Sequence, residues 1–140
     1  MLKIGVIGVG YWGPNLVRNF MQLHEVEMTH VADLDAGRLS HIKELFPTVE
    51  VTTDYKQLVD APDIDVIAIA TPVHTHHRFA VEALNAKKHV FVEKPLASST
   101  EQCKELIGLS QAKNCKLMVG HTFLYTPAVD NFLLLVIKYR

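Results

Sequence analysis

The stretch that decides the fold is LKIGVIGVGYWGPNLVRNFMQLHEVEMTHVAD, residues 2–33. An apolar run from Leu2 to Ile7 leads into GVGYWG, residues 8–13, and a helix-like segment then leads to a second apolar run that ends at Asp33. The glycines have the spacing G-x-G-x-x-G, and the acid lies 20 residues beyond the last of them. A strand, a glycine turn, a helix, a second strand and an acid in this order indicate a βαβ unit that binds a dinucleotide.

Each glycine of this motif is expected to serve a different purpose. Gly8 makes the tight turn off the strand, Gly10 leaves room for a pyrophosphate at the main chain, and Gly13 lets the helix pack close to the strand. The phosphates would lie on free N–H groups at the positive end of the helix dipole. A glycine-rich turn with a purely structural role is the alternative.

The residues around the glycines refine this prediction. Asp33 would accept hydrogen bonds from the adenosine ribose, and because its carboxylate repels the extra phosphate of NADP, the motif favours NAD as cofactor. Tyr11 and Trp12 stand where the N–H groups meet the phosphates. We expect their rings either to shield the site or to pack on the next helix.

The composition is that of one globular domain, with 140 residues, 49% of them hydrophobic and 21% charged. A net charge of −1 gives no electrostatic reason to expect nucleic acid or an anionic membrane as partner. The longest apolar run, Phe132 to Ile137, is too short to cross a bilayer. Cys103 and Cys115 have no metal or redox spacing, and no targeting segment precedes the first strand, so we predict reduced core thiols in a cytoplasmic protein.

Strands and helices alternate along the rest of the chain. Apolar strands are predicted at residues 26–32, 49–52, 64–70, 89–92 and 116–119. Helices are predicted at about 11–23, 35–46, 54–60, 75–86 and 98–113, and another near Pro127. In the first helix, Leu16, Val17, Phe20 and Leu23 form the expected buried face. The pattern predicts an α/β fold, a doubly wound parallel sheet with helices on both faces.

Polar and glycine motifs follow the ends of these strands, and such a sheet binds its ligand beyond those ends. The motifs are Gly8 to Gly13, Asp33, Thr71-Pro72, Glu93-Lys94-Pro95 and Gly120-His121. The ammonium of Lys94 could bind the nicotinamide end of a cofactor or relay the proton of a substrate hydroxyl, with Glu93 fixing or tuning it. A solvated Glu93–Lys94 ion pair is the alternative.

Histidines form a second group of candidates. His74 and His77 lie three residues apart, as two metal ligands on one helix face would, but no third ligand is placed nearby by the sequence, so we predict no metal site. A neutral histidine packed beside the cofactor is the preferred interpretation of this cluster. His121 follows a strand end and faces the same crevice, either as a functional group or as a hydrogen-bonded cap.

Five stretches in this order and spacing resemble the nucleotide-binding domain of the Gfo/Idh/MocA family, named for glucose-fructose oxidoreductase and inositol dehydrogenase. They are GVGYWG, VADLD, IATPVHTH, KHVFVEKP and VGHTFLYTPAV. The likeness runs from about residue 2 to residue 129 and is greatest to members that act on sugars and nucleotide sugars, including UDP-N-acetylglucosamine and related uronate 3-dehydrogenases. It implies a Rossmann fold and an NAD(P)-dependent oxidoreductase that passes hydride between nicotinamide and a carbon of a sugar or nucleotide-sugar substrate.

The resemblance also implies roles for single residues. Lys94 matches the family's lysine near nicotinamide and substrate, and His121 matches its Gly-His after the sixth strand, so both are candidate catalytic residues. The residues that match the family's cofactor pocket are Thr71, Pro72, His76 and Glu93. Leu124 stands where many members carry arginine.

Family members continue for roughly another domain, which binds the sugar. We therefore predict a Rossmann domain over residues 1–126 and a helix or tail over residues 127–140 that begins the substrate domain. The apolar run in DNFLLLVIKYR cannot face one core, which predicts a homo-oligomer or burial against another chain. Two functions stay open: a sugar-type dehydrogenase, and an NAD-binding module or truncated subunit without catalysis of its own.

Overall fold

Six parallel strands form one sheet within residues 1–121, the part of the chain that this computed structural model describes. The strands are β1 Leu2–Ile7, β2 Val26–Ala32, β3 Glu50–Thr52, β4 Val66–Ile69, β5 His89–Val92 and β6 Leu117–Val119. Their order across the sheet is β3-β2-β1-β4-β5-β6, and every neighbouring pair is parallel. This order confirms the predicted doubly wound sheet of the Rossmann type.

Helices cover both faces of the sheet. They are α1 Gly13–Met21, α2 Ala36–Leu45, α3 Lys56–Val59, α4 Val73–Asn85 and α5 Thr100–Ala112. On one face, Val17 of α1 and Ile42 of α2 pack in one buried cluster, and on the other Leu58, Leu84 and Leu106 bring α3, α4 and α5 into a second. Among the described residues there is no helix with the length and apolar character needed to span a membrane.

The register of the strands brings their carboxyl ends to one edge. Ile7 pairs with both Ala32 and Ile69, Ile69 pairs with Val92, and Val92 pairs with Val119. Each of these residues is the last of its strand. The motifs that the sequence places after the strand ends therefore lie along the same edge.

Side chains cap the amino ends of two helices. The Asp35 carboxylate accepts hydrogen bonds from the N–H groups of Gly37 at 2.8 Å and Arg38 at 3.2 Å and so starts α2. The Ser99 hydroxyl accepts the Gln102 N–H at 3.3 Å, and the Gln102 side chain accepts the N–H of the residue before the cap. These bonds satisfy main-chain donors that a helix start leaves free.

Two details of the sequence prediction were wrong. The first helix ends at Met21, two residues early, and Leu23 follows in a turn with 49% of its surface exposed, so it does not extend the buried face. The fourth strand begins at Val66 rather than at residue 64, although Ile64 is buried and fills the core from the preceding loop. The helix predicted near Pro127 and the apolar run at residues 132–137 lie outside the described residues.

Polar contacts stabilise the edge of the sheet formed by the amino ends of the strands. Lys88 is buried just before β5, and its ammonium donates hydrogen bonds to the carbonyl oxygens of Ala61 and Ile64. The Asp65 carboxylate accepts the Lys3 N–H at 2.8 Å. These contacts tie the loop before β4 to the neighbouring strands β1 and β5.

The start of α1 packs directly on the end of β1. A Cβ added at Gly13 would collide with the carbonyl oxygen of Gly8, which is main chain and cannot swing away. This close approach confirms the predicted purpose of Gly13 and fixes where the helix leaves the glycine turn.

We expect Gly13→Ala to lower the free energy of unfolding by about 1–3 kcal/mol, because the added methyl forces the helix and the strand apart. Gly108→Ala is the matched control, since no atom lies within 4 Å of a Cβ added at this exposed helix position. There the same substitution should stabilise the chain by about 0.5–1 kcal/mol. Urea unfolding measures both, and equal effects at the two glycines would contradict the packing described for α1.

Candidate functional site

A cavity of about 1060 Å³ opens at the carboxyl edge of the sheet, where Ile7 and Gly8 after β1 meet Ala70 after β4. The strand order reverses at this point, which is where doubly wound sheets bind their ligands. The lining residues lie within residues 7–12, 32–38, 53–55, 70–79 and 93–94. Of the predicted site residues, the lining includes Gly8, Gly10, Tyr11, Trp12, Asp33, Thr71, Pro72, Glu93 and Lys94. The lining formed by the described residues does not include Gly13, His76 or His121.

The glycine turn presents unpaired main-chain donors to the cavity. Gly8 donates its N–H to Ala32 and Val9 donates to the Asp33 carboxylate, but the N–H groups of residues 10–13 have no acceptor within residues 1–121. Trp12 provides no side-chain cap to α1, and Pro14 brings no N–H. Four free N–H groups at a helix start are a binding site for an anion such as phosphate.

The glycine turn is crowded at Gly8 but open to the cavity at Gly10. Gly8 has φ of +94°, and a Cβ added there would lie 2.7 Å from the Thr71 side chain and 2.9 Å from Ala70 main chain. At Gly10, by contrast, an added Cβ would meet only the Arg38 guanidinium, at 3.6 Å. The turn is therefore packed below and accessible above, an arrangement that fits the pyrophosphate of a dinucleotide.

Asp33 lies at the end of β2 with only 9% of its side chain exposed. One carboxylate oxygen accepts the Val9 N–H at 2.8 Å and the other accepts the Asp35 N–H at 2.9 Å. A carboxylate has about four lone-pair sites, so these two bonds leave room for further donors such as ribose hydroxyls. Besides facing the cavity, Asp33 holds the glycine turn in place.

Arg38 is a cavity residue that the sequence prediction missed. Its guanidinium lies 3.7 Å from carboxylate oxygens of both Asp33 and Asp35, and half of its side chain is exposed. The first turn of α2 brings it over Gly10. An available signal was its position three residues after the Asp35 cap, which puts both side chains on one side of the helix start.

Two hydroxyl groups order the loop after β4. The Thr75 hydroxyl donates to the Pro72 carbonyl oxygen at 2.7 Å and lies 2.6 Å from the Thr71 hydroxyl. Because a hydroxyl has one proton and the carbonyl can only accept, Thr71 must be the donor in the second bond. Thr71 therefore offers the cavity lone pairs but no proton.

His76 is buried beneath this loop, with 1% of its surface exposed. Its Nε2 lies 2.7 Å from the Thr71 carbonyl oxygen and its Nδ1 lies 2.8 Å from the Pro95 carbonyl oxygen. Both ring nitrogens are thus used within the protein. The sequence predicts His76 in the cofactor pocket, but the structure places it one layer below the cavity surface.

A second group that the sequence prediction missed forms the far wall of the cavity. Arg78 donates hydrogen bonds to the Tyr55 hydroxyl at 2.6 Å and to the Glu82 carboxylate at 3.1 Å, and its guanidinium carbon lies 5.4 Å from the centre of the Phe79 ring. The hydrogen bonds to Tyr55 and Glu82 raise the pKa of Arg78. Short-range sequence patterns could not place it, because Tyr55 comes from the loop before α3.

Lys94 follows β5, is exposed and lines the cavity. Of the Lys and Arg side chains in the lining, Lys94 alone has no ion pair within residues 1–121, and the alternative of a Glu93–Lys94 pair is not found there. A Cβ added at Gly120 would lie 3.2 Å from a Glu93 carboxylate oxygen, so the turn after β6 reaches Glu93. His121 in that turn is exposed, and its main-chain N–H donates to the Val119 carbonyl oxygen.

The remaining candidate residues lie at the rim. Tyr11 and Trp12 line the cavity in an edge-to-face arrangement and are 87% and 52% exposed, so neither is a core residue. His74 also lines the cavity, whereas His77 lies 2.8 Å from the Glu105 carboxylate on α5. Residues 1–121 contain no cluster of three or more side chains able to hold a metal ion.

The strand order, the donors at the glycine turn and the acid at the end of β2 define a dinucleotide-binding Rossmann domain. A family model described as "Oxidoreductase family, NAD-binding Rossmann fold" matches residues 2–121. The chain belongs to this family, Gfo/Idh/MocA, and the resemblance seen in the sequence is confirmed.

Relatives of this chain act on different molecules. It is 36% identical over 121 residues to a 1-carboxy-3-chloro-3,4-dihydroxycyclohexa-1,5-diene dehydrogenase from Comamonas testosteroni, covering 86% of this chain and 30% of the relative. It resembles scyllo-inositol dehydrogenase from Lactobacillus casei with bound NAD(H) and scyllo-inositol, with 26% identity, a TM-score of 0.88 and coverage of 99% and 41%. It also resembles biliverdin reductase from Synechocystis in complex with biliverdin and NADP+, with 28% identity and a TM-score of 0.83. That match covers 88% of this chain and 39% of the reductase. The chain thus spans well under half the length of these proteins.

Trp12 is the only tryptophan and lies at the cavity rim, so its fluorescence should report cofactor binding. We expect NADH or NADPH to quench Trp12 emission in a saturable way and to emit in turn when tryptophan is excited. In a Trp12→Phe variant, both signals should vanish while equilibrium dialysis still detects the bound nucleotide. If the fall in Trp12 emission is explained entirely by light that the added nucleotide absorbs, the result would contradict a site at the glycine turn.

Proposed function

We propose that this chain is the cofactor-binding part of an NAD-dependent oxidoreductase that transfers hydride between nicotinamide and a carbon of a sugar or nucleotide sugar. The observation that carries the cofactor proposal is the row of four free N–H groups at residues 10–13, next to the Asp33 carboxylate. Donors for a pyrophosphate and acceptors for a ribose stand side by side at the switch point of the sheet.

Asp33 and Arg38 are proposed to decide between NAD and NADP. A ribose with free hydroxyls can donate to Asp33, while a 2′-phosphate at the same place meets a carboxylate of like charge. Arg38 would favour that phosphate, but it faces Asp33 and Asp35 at 3.7 Å and is partly neutralised by them. We therefore propose that repulsion of a 2′-phosphate by Asp33 outweighs its attraction to Arg38, so that the site favours NAD over NADP.

Lys94 is proposed as the catalytic group. When bound, the nicotinamide supplies the acceptor or donor of the hydride. As an alcohol carbon loses hydride its hydroxyl must lose a proton, and an amine at Lys94 Nζ can take that proton or return it in the reverse direction. His121 is proposed as a second proton-carrying group, and Glu93 as the residue that fixes the turn beside it.

Support for a sugar-type substrate comes from two sources. The motifs of the sequence resemble those of family members that act on sugars and nucleotide sugars, and the solved structure of scyllo-inositol dehydrogenase holds a cyclic polyol. The biliverdin complex of another relative shows that this domain type also serves other substrates. We propose a polyhydroxylated ring as substrate class.

A second candidate function is a unit that binds NAD without catalysing turnover by itself. The coverage of relatives favours it, since the chain matches 30% of the Comamonas dehydrogenase and 41% of the inositol dehydrogenase. Saturable NAD binding without turnover on a panel of sugars and nucleotide sugars would support this function. Turnover by the 140-residue chain would exclude it.

Asp33→Ala should weaken NAD binding by about tenfold or more, because hydrogen bonds to a charged acceptor are lost. Binding of NADP should fall less, since the substitution also removes a repelling charge and releases Arg38. Asp33→Asn removes the charge but also one of the two main-chain hydrogen bonds, since an amide NH2 cannot accept, and Asp35→Asn removes the neighbouring charge because asparagine caps a helix equally well. Titration of the unaltered chain and of each variant with both reduced cofactors measures these affinities, and equal losses for NAD and NADP would show that Asp33 does not select the ribose.

Lys94→Ala should lower kcat by about 10²–10⁴-fold in an active form of the protein while changing NAD affinity much less, as expected for removal of an acid–base group. Lys104→Ala is the control, because Lys104 is exposed on α5 away from the cavity lining. Steady-state kinetics and cofactor titrations separate the two effects. Turnover unchanged in Lys94→Ala would assign this lysine to the solvated surface.

A further inference from the structure

His76 lies in the first turn of α4, almost completely buried, and bridges two loops. Its Nε2 faces the Thr71 carbonyl oxygen at 2.7 Å, and its Nδ1 faces the Pro95 carbonyl oxygen at 2.8 Å. Carbonyl oxygens are acceptors only, so each ring nitrogen is in contact with an atom that cannot donate a proton.

A neutral imidazole cannot satisfy both contacts, because it has one N–H and one nitrogen lone pair. In either tautomer, a lone pair would point at a carbonyl oxygen at hydrogen-bond distance. Turning the ring over would put C–H groups there, but C–H···O contacts have separations of about 3.3–3.6 Å. Two N–H donors, as in the imidazolium, fit both distances.

We propose that His76 is held as a buried imidazolium and acts as the positioning residue of the Lys94 turn. This inference deepens the function proposed above and rests on it for the role of Lys94. Hydrogen bonds from a charged donor are shorter and stronger than neutral ones, and they act against the cost of burying a cation in the first turn of a helix. The sequence predicts a neutral histidine beside the cofactor, whereas this proposal makes His76 a cation below the cavity floor.

The two carbonyl groups belong to the loops that carry the site. Thr71 follows β4 and lines the cavity, and Pro95 directly follows Lys94 at the end of β5. Within residues 1–121, neither carbonyl oxygen has another hydrogen-bond donor. His76 is therefore the polar link that sets the Lys94 turn against the loop after β4.

Nitrogen NMR of the chain with ¹⁵N-labelled histidine tests the protonation state directly. We expect both ring nitrogens of His76 to carry protons that exchange slowly with water. The signals are assigned by their loss in His76→Asn and, independently of any variant, by nuclear Overhauser contacts between the ring protons and Thr71. One unprotonated nitrogen on His76 would overturn the imidazolium.

Cofactor titration tests the positioning role. Asparagine can donate from one atom only, so it cannot reach both carbonyl groups, and His76→Asn should weaken NADH binding by about tenfold. His77→Asn is the matched control on the same helix and should change the affinity less than about twofold, with circular dichroism and thermal unfolding confirming that both variants fold. Wild-type affinity in His76→Asn would overturn the positioning role. If the unaltered chain binds neither NADH nor NADPH, the proposed function fails, but the NMR result still decides the state of His76.

Discussion

The hydrogen bond from the Val9 N–H to the Asp33 carboxylate is the contact on which the site depends. It joins the turn after β1 to the end of β2, two strands that are neighbours only because the sheet has formed. By using the Val9 N–H, it marks where the main chain stops pairing with the sheet and begins to present donors to the cavity. One aspartate thus shapes the proposed phosphate site and keeps lone pairs for the proposed contact with the ribose.

The charges around the cavity give a consistent electrostatic account. Arg38 is paired with Asp33 and Asp35, and Arg78 is paired with Glu82, so neither offers a full free charge to a ligand. Within residues 1–121, the attraction for a phosphate therefore comes from the ammonium of Lys94, which has no ion pair there, and from main-chain N–H groups and the start of α1, which carry partial charges that no titration removes. We propose this arrangement as the site for the two phosphates of a dinucleotide in a chain of net charge −1.

Sequence patterns predicted the strands well because apolar runs covered on both faces have few other interpretations. β5 lies at the predicted residues, and Asp35 and Ser99 start their helices through local bonds that short spacing reveals. The exposure of Leu23 was not predictable by periodicity, because the spacing of apolar residues does not show where a helix ends. The Tyr55–Arg78 wall was missed since tertiary packing, not sequence spacing, brings it to the cavity, whereas Arg38 had a local signal in its spacing from the Asp35 cap. The two carbonyl contacts of His76 depend on loops 19 and 5 residues away and could only be seen in three dimensions.

Lys88 stabilises the edge of the sheet that lies opposite the ligand-binding edge. Its buried ammonium secures the loop before β4 at the amino edge of the sheet, far from the end where ligands bind. The residues that line the cavity at the opposite edge take no part in these two hydrogen bonds, so a substitution there leaves both bonds in place. In this chain, stabilising contacts and the cavity thus lie at opposite edges of the sheet. This separation fits the variety of molecules that relatives with this fold handle, which include an inositol, a chlorinated cyclohexadiene and a tetrapyrrole.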